Sequence, residues 1–436
     1  MRERNETVAV DICKVTLPLD GFWFYDRVAG RIRNRNHSFF SISGFRSTLP
    51  GGEVFEQPIL LQEEIGYLGI ICKEFHGVTH FLMQAKIEPG NVNKIQISPT
   101  IQATKSNFTQ LHGGTKPPYL DYFLNASRYE ILFDQIQSEQ SSRFYKKRNR
   151  NILLHVDENV PVLPSHCWMT LGQIKRLMRE DNLVNMDTRT VLSCIPFSKL
   201  HLSEADLTEL GALFSDKALF RSVFVGVRKN LLPEVYRCIN DFKMFSASSV
   251  QFLPLHDLSG WTYQDGELVC RTPWPFKVIF CDITIEGREV RRWTQPLFEA
   301  VGIAVFGLIC CEEDGILKFL VRATPEPGCF DSIELGPTIQ REAVPIFPAQ
   351  LNPVDVLFDQ RLQSGAGVFY DHLLSEEGGR FYHEQNRNVL MKIDESELPD
   401  LPEGYFLLDY RTLNELVQIN NVLNIQLRNL LSLLEA

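Results

Sequence analysis

Residues 57–102 read QPILLQEEIGYLGIICKEFHGVTHFLMQAKIEPGNVNKIQISPTIQ, and residues 295–340 read QPLFEAVGIAVFGLICCEEDGILKFLVRATPEPGCFDSIELGPTIQ. The two stretches align without a gap at a constant offset of 238 (295 minus 57). Gly69 and Cys72 meet Gly307 and Cys310, and Phe81-Leu82 meets Phe319-Leu320. Glu88-Pro89-Gly90 meets Glu326-Pro327-Gly328, and Pro99-Thr100-Ile101-Gln102 meets Pro337-Thr338-Ile339-Gln340. Further on, Arg143-Phe144-Tyr145 and Asn149-Arg150-Asn151 return as Arg380-Phe381-Tyr382 and Asn386-Arg387-Asn388, at an offset of 237 (380 minus 143). Solenoids use short periods in several copies, so two copies of this length indicate a duplicated domain.

Within each copy the pattern is mixed, which predicts an α+β fold. Ile65–Cys72 is short, apolar and bounded by turn residues, and reads as a buried strand. His76-Gly77 is a hairpin signal, and Thr79–Lys86 is the return strand, with His80, Leu82, Gln84 and Lys86 on one face. Glu88-Pro89-Gly90-Asn91 is a turn before a strand over Lys94–Ile97. Between Arg411 and Leu434, the residues Leu413, Leu416, Ile419, Leu423, Leu427 and Leu430 fall at helical spacing and predict a packing helix. Ser203-Glu-Ala-Asp-Leu207 opens a polar-capped helix. A length of 436 residues suits two domains of roughly 200 each. The predicted division is a catalytic first domain over 1–200, a helical connector over 201–245 and a degenerate nucleotide-binding copy over 246–436.

Composition narrows the function classes. A net charge of -10 argues against a protein that wraps nucleic acid, which needs a basic surface. The ten cysteines are scattered without a Cys-x-x-Cys pair, and Cys310 and Cys311 point apart on a strand, so free thiols in a reducing cytosol are expected. The charged N-terminus lacks the apolar centre of a signal peptide, and no run of about 18 apolar residues spans a bilayer. These features predict a cytoplasmic protein.

The run from His80 to Asn107, then Leu111-His-Gly-Gly, Pro118-Tyr-Leu-Asp-Tyr122, Ser138-Glu-Gln140 and Arg143–Asn151, closely resembles the NDP-hexose 2,3-dehydratase family. The resemblance covers nearly the whole chain. It implies two tandem Nudix-like mixed-sheet domains in a homodimer. It also implies a TDP-linked 4-keto-6-deoxyglucose substrate, and a downstream ketoreductase to take up an unstable product. The carboxylate-rich helix of Nudix hydrolases is missing, so no pyrophosphate-cleaving metal site is expected. In the second copy, Arg341-Glu-Ala-Val-Pro-Ile-Phe replaces Ala103-Thr-Lys-Ser-Asn-Phe-Thr, and the His-Gly-Gly segment has no counterpart.

The implied chemistry needs a base for the C3 hydrogen, which the 4-ketone acidifies, and donors to hold the enolate. The C2 hydroxyl must also be protonated as it leaves. The carbonyl is its own electron sink, so no cofactor is expected, in keeping with the lack of a Gly-x-Gly-x-x-Gly loop, a P-loop or a His-Glu-x-x-His helix. Positions kept in both copies point to the fold or a shared nucleotide pocket: Gln57, Glu88, Thr100, Gln102, Arg143, Tyr145 and Arg150. Positions special to the first copy are better candidates for chemistry: His80, Gln84, Lys86, Asn107, His112, Tyr119 and Asp121. Their opposites include Lys318 for His80, Arg322 for Gln84 and Thr324 for Lys86.

His112 or Lys86 is the expected proton-transfer group, an imidazole having a pKa near neutrality. Lys86 could instead hold the enolate, with Tyr119 donating to the leaving hydroxyl. Glu88 recurs in both copies and reads as structural or sugar-contacting. Gln84, Gln102, Thr104, Asn107 and Tyr145 complete the expected substrate contacts, with Arg143 and Arg150 on the diphosphate. Lys146 and Lys147 have no basic counterparts and read as surface residues. The main rival is a non-catalytic sugar-nucleotide-binding protein. A Nudix-type hydrolase and an RNA-binding protein are disfavoured by the missing helix and the acidic balance.

Overall fold

The computed structural model describes residues 2–17, 21–109, 115–200, 202–226, 230–286, 290–347 and 351–435, without the side chains of 2–4. Among these, the strands form four sheets: one seven-stranded and one six-stranded sheet centred on each half. In the first half the long sheet runs Glu130–Ser138, Arg148–His155, Gly66–Phe75, Val78–Ile87, His166–Thr170, with Ile95–Ser98 and Ile101–Ala103 paired onto its middle. In the second half, Val368–Ser375, Gln385–Ile393, Val305–Glu313, Ile316–Pro325 and Tyr405–Asp409 follow the same order. One central pair in each sheet is parallel and the others are antiparallel, so both sheets are mixed. The protein is α+β with two halves of repeated appearance.

Local chemistry explains these elements. The strands expected at 65–72, 79–86 and 94–97 are Gly66–Phe75, Val78–Ile87 and Ile95–Ser98. His76-Gly77 turns the hairpin with both φ positive (52° and 78°), and Asp314-Gly315 does the same in the second half (52° and 75°). Cys310 and Cys311 do point apart, into different hydrophobic clusters on the two faces of one sheet. Ser203 caps Glu204–Leu213 through a capping box with Asp206. All ten cysteines are free, and among the described residues no helix is long and apolar enough to cross a membrane.

The single helix expected over 411–434 is two helices, Tyr410–Val417 and Ile425–Leu431. Between them Asn421 takes a positive φ of 58°, which an α-helix cannot hold. Residues 422–424 instead pair with the sheet, Leu335 donating its N–H to the Val422 carbonyl (2.8 Å) and Asn424 its N–H to the Leu335 carbonyl (2.8 Å). The Asn424 side chain then caps the second helix, accepting from Leu427 N–H at 2.9 Å. Ile419, part of the predicted stripe, is exposed as a result.

The halves are not side by side like beads. Strand Val10–Val15 pairs with Phe276–Ile285 in the second half's sheet, while Ser249–Leu253 pairs with Ser41–Thr48 in the first half's sheet. Each half thus lends a strand to the other. The repeated Glu-Pro-Gly turns make a second reciprocal contact. Gly90 N–H donates to the Gly378 carbonyl (2.7 Å), and Lys146 N–H donates to the Gly328 carbonyl (2.7 Å). A Cβ on Gly90 would fall 1.6 Å from the Phe381 carbonyl oxygen, and one on Gly328 1.9 Å from that of Ser141. Only a residue without a side chain permits that approach. One hydrophobic core runs through both halves, joining Leu68, Ile70 and Phe81 to Leu308, Phe319 and Leu413.

Candidate active site

At the end of strand Val78–Ile87 the alternation turns Lys86 inward, and the Glu-Pro-Gly turn brings Glu88 beside it. Both are buried, with exposures of 8% and 6%. The Lys86 ammonium donates to the Gln102 carbonyl (3.0 Å) and lies 3.4 Å from Glu88 Oε1. The Gln102 amide donates to the same Glu88 oxygen (3.1 Å), and its own oxygen accepts from Asn185 Nδ2 (3.1 Å). Asn185 is the N-cap of helix Met186–Ser193, which places Asp187 in the helix's first turn.

These groups border a cavity of about 480 Å³, large enough for a small organic ligand. Thr104 and Asn107 line one side, Thr104 Oγ1 lying 3.0 Å from Ser106 Oγ. Glu139 and Lys147 line the floor. Glu139 accepts from Asn149 Nδ2 (2.7 Å), and Lys147 donates to the Glu64 carbonyl (2.5 Å). The opposite wall comes from the second half: Gln295, Glu377, Gly379 and Arg380. Arg380 is buried over the rings of Phe39 (4.0 Å) and Phe40 (4.7 Å), and donates to Gln62 Oε1 (3.1 Å). Among the described residues it has no carboxylate within ion-pair distance, so a buried positive charge faces the cavity available to an anion.

Burial sets the protonation of this cluster. It lowers the Lys147 ammonium to about 8, against the pull of Glu139. It raises the Glu139 carboxyl, an effect that Lys147 and Arg428 oppose. It raises Asp187 well above the usual carboxylate range, helped by the negative charges of Glu139, Glu377 and Glu88. Glu377 is raised to about 7, by burial and then by Glu88. The cavity therefore holds carboxyl groups whose hold on the proton is strengthened by burial, beside cations, a combination suited to moving protons. Among the described residues, no group of three or more His, Cys, Asp or Glu is placed to hold a metal ion.

The structure gathers five of the residues singled out in the sequence: Lys86, Glu88, Gln102, Thr104 and Asn107. His112 lies outside the described residues. Gln84 stays on its strand, half-buried, and does not line the cavity. Tyr119 does not reach it either. Its hydroxyl donates to the Pro161 carbonyl (2.7 Å) and accepts from Leu163 N–H (3.0 Å), so both hydrogen-bonding roles are taken by backbone. Arg150 makes an ion pair with Asp134 (2.5 Å) at the strand surface. Arg143 and Tyr145 are directed elsewhere by the crossing of segments between halves. Tyr145 packs on Phe252, and Arg143 enters a second cavity of about 510 Å³, where it meets Glu342 at 2.9 Å. Arg380, its repeat partner, takes the corresponding place in the first cavity.

Lys147 is a correction of a different kind. Read as a surface residue, it is only 5% exposed and points at the cavity floor. Glu139, Asp187 and Glu377 were not singled out, because pairing kept positions does not reveal which half supplies which wall. For Asp187 and Glu377 the signal lay in substitutions between the halves, as for Lys147 against Glu384 (384 minus 147 is 237), whereas Glu139 is matched by Glu376 (376 minus 139 is 237).

The sequence profile of the NDP-hexose 2,3-dehydratase family matches residues 1–195 and 232–434, and the chain belongs to that family. Among curated relatives, the dTDP-4-dehydro-6-deoxy-alpha-D-glucopyranose 2,3-dehydratase of Saccharopolyspora spinosa is 39% identical over 419 residues, covering 95% of this chain and 85% of its own. Proteins of the same description from Streptomyces violaceoruber and Amycolatopsis orientalis are 37% and 36% identical. They cover 94% and 95% of this chain, and 90% and 84% of their own lengths.

Proposed function

We propose that this chain is a carbon–oxygen lyase that removes water across C2 and C3 of dTDP-4-keto-6-deoxy-D-glucose, giving the 3,4-diketo-2,6-dideoxy sugar. The observation that carries this reading is the buried Lys86–Glu88–Gln102 network facing a cavity of about 480 Å³ in a member of this family. An ammonium held in place by a carboxylate and a carbonyl is a preorganised partner for the charge that develops on the C4 oxygen. Lys86 therefore holds the enolate. His112 is the proposed base on its sequence grounds, and Glu88, Gln102, Thr104 and Asn107 contact the sugar. Arg380 takes the diphosphate role first given to Arg143, as a buried guanidinium that lines the cavity with no carboxylate in ion-pair distance among the described residues.

The wider reading belongs to the same proposal. The matching mixed sheets support an internal duplication of a Nudix-like domain, divided as 1–200, 201–245 and 246–436. The ten free cysteines are in keeping with a reducing cytoplasm. Family membership supports a homodimer whose unstable product passes to a ketoreductase.

The test is to incubate the purified protein with dTDP-4-keto-6-deoxyglucose, without added metal or nicotinamide, and to follow the sugar nucleotide by mass spectrometry. Loss of one water, trapped by a ketoreductase and its reductant in a second step, is expected. A folded protein that binds the nucleotide tightly and releases no water sinks this reading in favour of a non-catalytic binding protein.

A further inference from the structure

In the proposed reaction one role is unfilled. Something must protonate the C2 hydroxyl as it leaves, and the Tyr119 hydroxyl is committed to backbone outside the cavity. The candidates are found by comparing the two cavities position by position. The frames match closely. Gln340 Nε2 donates to Glu326 Oε1 (2.9 Å) as Gln102 does to Glu88, and Asn424 Nδ2 donates to Gln340 Oε1 (2.8 Å) as Asn185 does to Gln102. Within that common frame, certain acids of the first cavity are replaced in the second by neutral amides. Asp187 is replaced by Gln426 (426 minus 187 is 239, as for Asn424 and Asn185), and Glu377 by Gln140 (377 minus 140 is 237). Lys86 is replaced by Thr324. Gln140 has the size of a glutamate and Gln426 is one methylene longer than an aspartate, and either amide can hydrogen-bond but lacks the acidic proton of a carboxyl.

Of the two acids, Asp187 lines the cavity but is only 1% exposed, with Oδ2 buried and without a hydrogen-bond partner among the described residues. Glu377 is the more accessible. Its Oε1 accepts from Gly379 N–H (3.0 Å), and a Cβ on Gly379 would sit 2.2 Å from that oxygen and 3.5 Å from Glu88 Oε1. The two carboxyl groups thus flank Gly379 from opposite halves, with Glu88 ion-paired to Lys86 (3.4 Å) on the first half's side.

We propose that Glu377, carried into the first half's cavity by the second half, is the catalytic acid that protonates the departing C2 hydroxyl. This rests on the dehydratase reading above. The base takes the C3 proton, and the C3–H electron pair forms the C3=C4 enolate. As C4=O re-forms, the pair moves to C2=C3 and the C2–O bond breaks. The oxygen leaves with the Glu377 proton as water. The remaining C3 enol then gives up its hydroxyl proton and gains one at C2, which yields the diketone. Burial, and Glu88 beside it, keep a large share of Glu377 protonated at neutral pH.

The experiment uses the full chain, wild type and Glu377→Gln, with dTDP-4-keto-6-deoxyglucose in D₂O. Recovered sugar nucleotide is read by NMR for deuterium at C3 and by mass spectrometry for water loss. The variant is expected to bind dTDP within about threefold of wild type and to exchange the C3 hydrogen. It is expected to eliminate water at least about 100-fold more slowly, the usual scale for a missing general acid. Elimination within about threefold of wild type overturns the proposal, as does loss of exchange in step with elimination. A wild-type protein that does neither, though it binds dTDP, fails the dehydratase reading itself. If Glu377→Gln does not fold, Glu377→Asp decides. Slowed elimination with exchange retained supports the acid, and unchanged elimination overturns it.

Discussion

The first cavity, of about 480 Å³, and the second, of about 510 Å³, are built on one frame and filled with different chemistry. In each, a glutamate in a Glu-Pro-Gly turn accepts from a strand glutamine, which accepts in turn from a helix-capping asparagine. The contents then diverge. The first cavity has Lys86, Lys147 and a guanidinium, Arg380, with no carboxylate in ion-pair distance among the described residues. The second has Thr324 and Glu384 at the lysine positions, and Arg143, the counterpart of Arg380, is engaged by Glu342, which stands where the first half has Thr104 (342 minus 104 is 238). Burial pushes Glu384 up to about 8. What the cavities share holds backbone and turns in place; what they do not share is where charge and protons can be exchanged with a ligand.

Three experiments press on this contrast, the first with the largest expected effect. Lys86→Ala should slow water loss by about 10³-fold, the scale of a lost oxyanion donor, whereas Thr324→Ala should leave it within about twofold. Equal effects in the mass-spectrometric assay would erase the difference between the cavities. Next, Glu342→Thr gives the second cavity the first one's residue and strands Arg143, which is only 2% exposed. Because Glu342 is itself partly exposed, the expected loss is about 1–3 kcal/mol, read by denaturant unfolding, with water loss unchanged. An unaltered midpoint would show that the Arg143–Glu342 pair is not what separates the two guanidinium sites.

The smallest effect is a pH dependence. Glu377 must be protonated to donate, and it is raised to about 7 by burial and Glu88, with Glu139 adding to the rise and Arg380 and Lys86 opposing it. The rate of water loss should therefore fall as pH rises through about 7, and this limb should be absent from the residual rate of Glu377→Gln. The linked stability change has the same sign. A carboxyl raised from 4.5 costs the folded state increasingly as pH rises from 4.5 towards 7, because the unfolded chain ionises first.

Much of the fold was legible in the sequence because its signals are local. Hairpin dipeptides, apolar runs and the repeated Glu-Pro-Gly turns each act within a few residues. The helix break at Asn421 was not legible, since leucines on either side keep helical spacing across a segment that is pinned to Leu335. The site was half legible. Lys86, Glu88, Gln102, Thr104 and Asn107 are close in sequence and arrive together. Arg143 and Arg380 were recognised as a pair, but repetition cannot say which cavity each enters when the segments cross between halves. Lys147 looked like part of a solvated basic run because the strand pairing that buries it is long-range.

The strand exchange has a consequence for how such a chain can change over time. Cutting it between the halves would leave each product with a borrowed strand missing from one sheet and an unpartnered strand at its own end. It would also strip the first cavity of its wall from residues 377–380. The half without lysines at the positions of Lys86 and Lys147 thus still supplies a wall of the cavity that has them, so a change confined to one half at residues 377–380 is felt in the chemistry of the other.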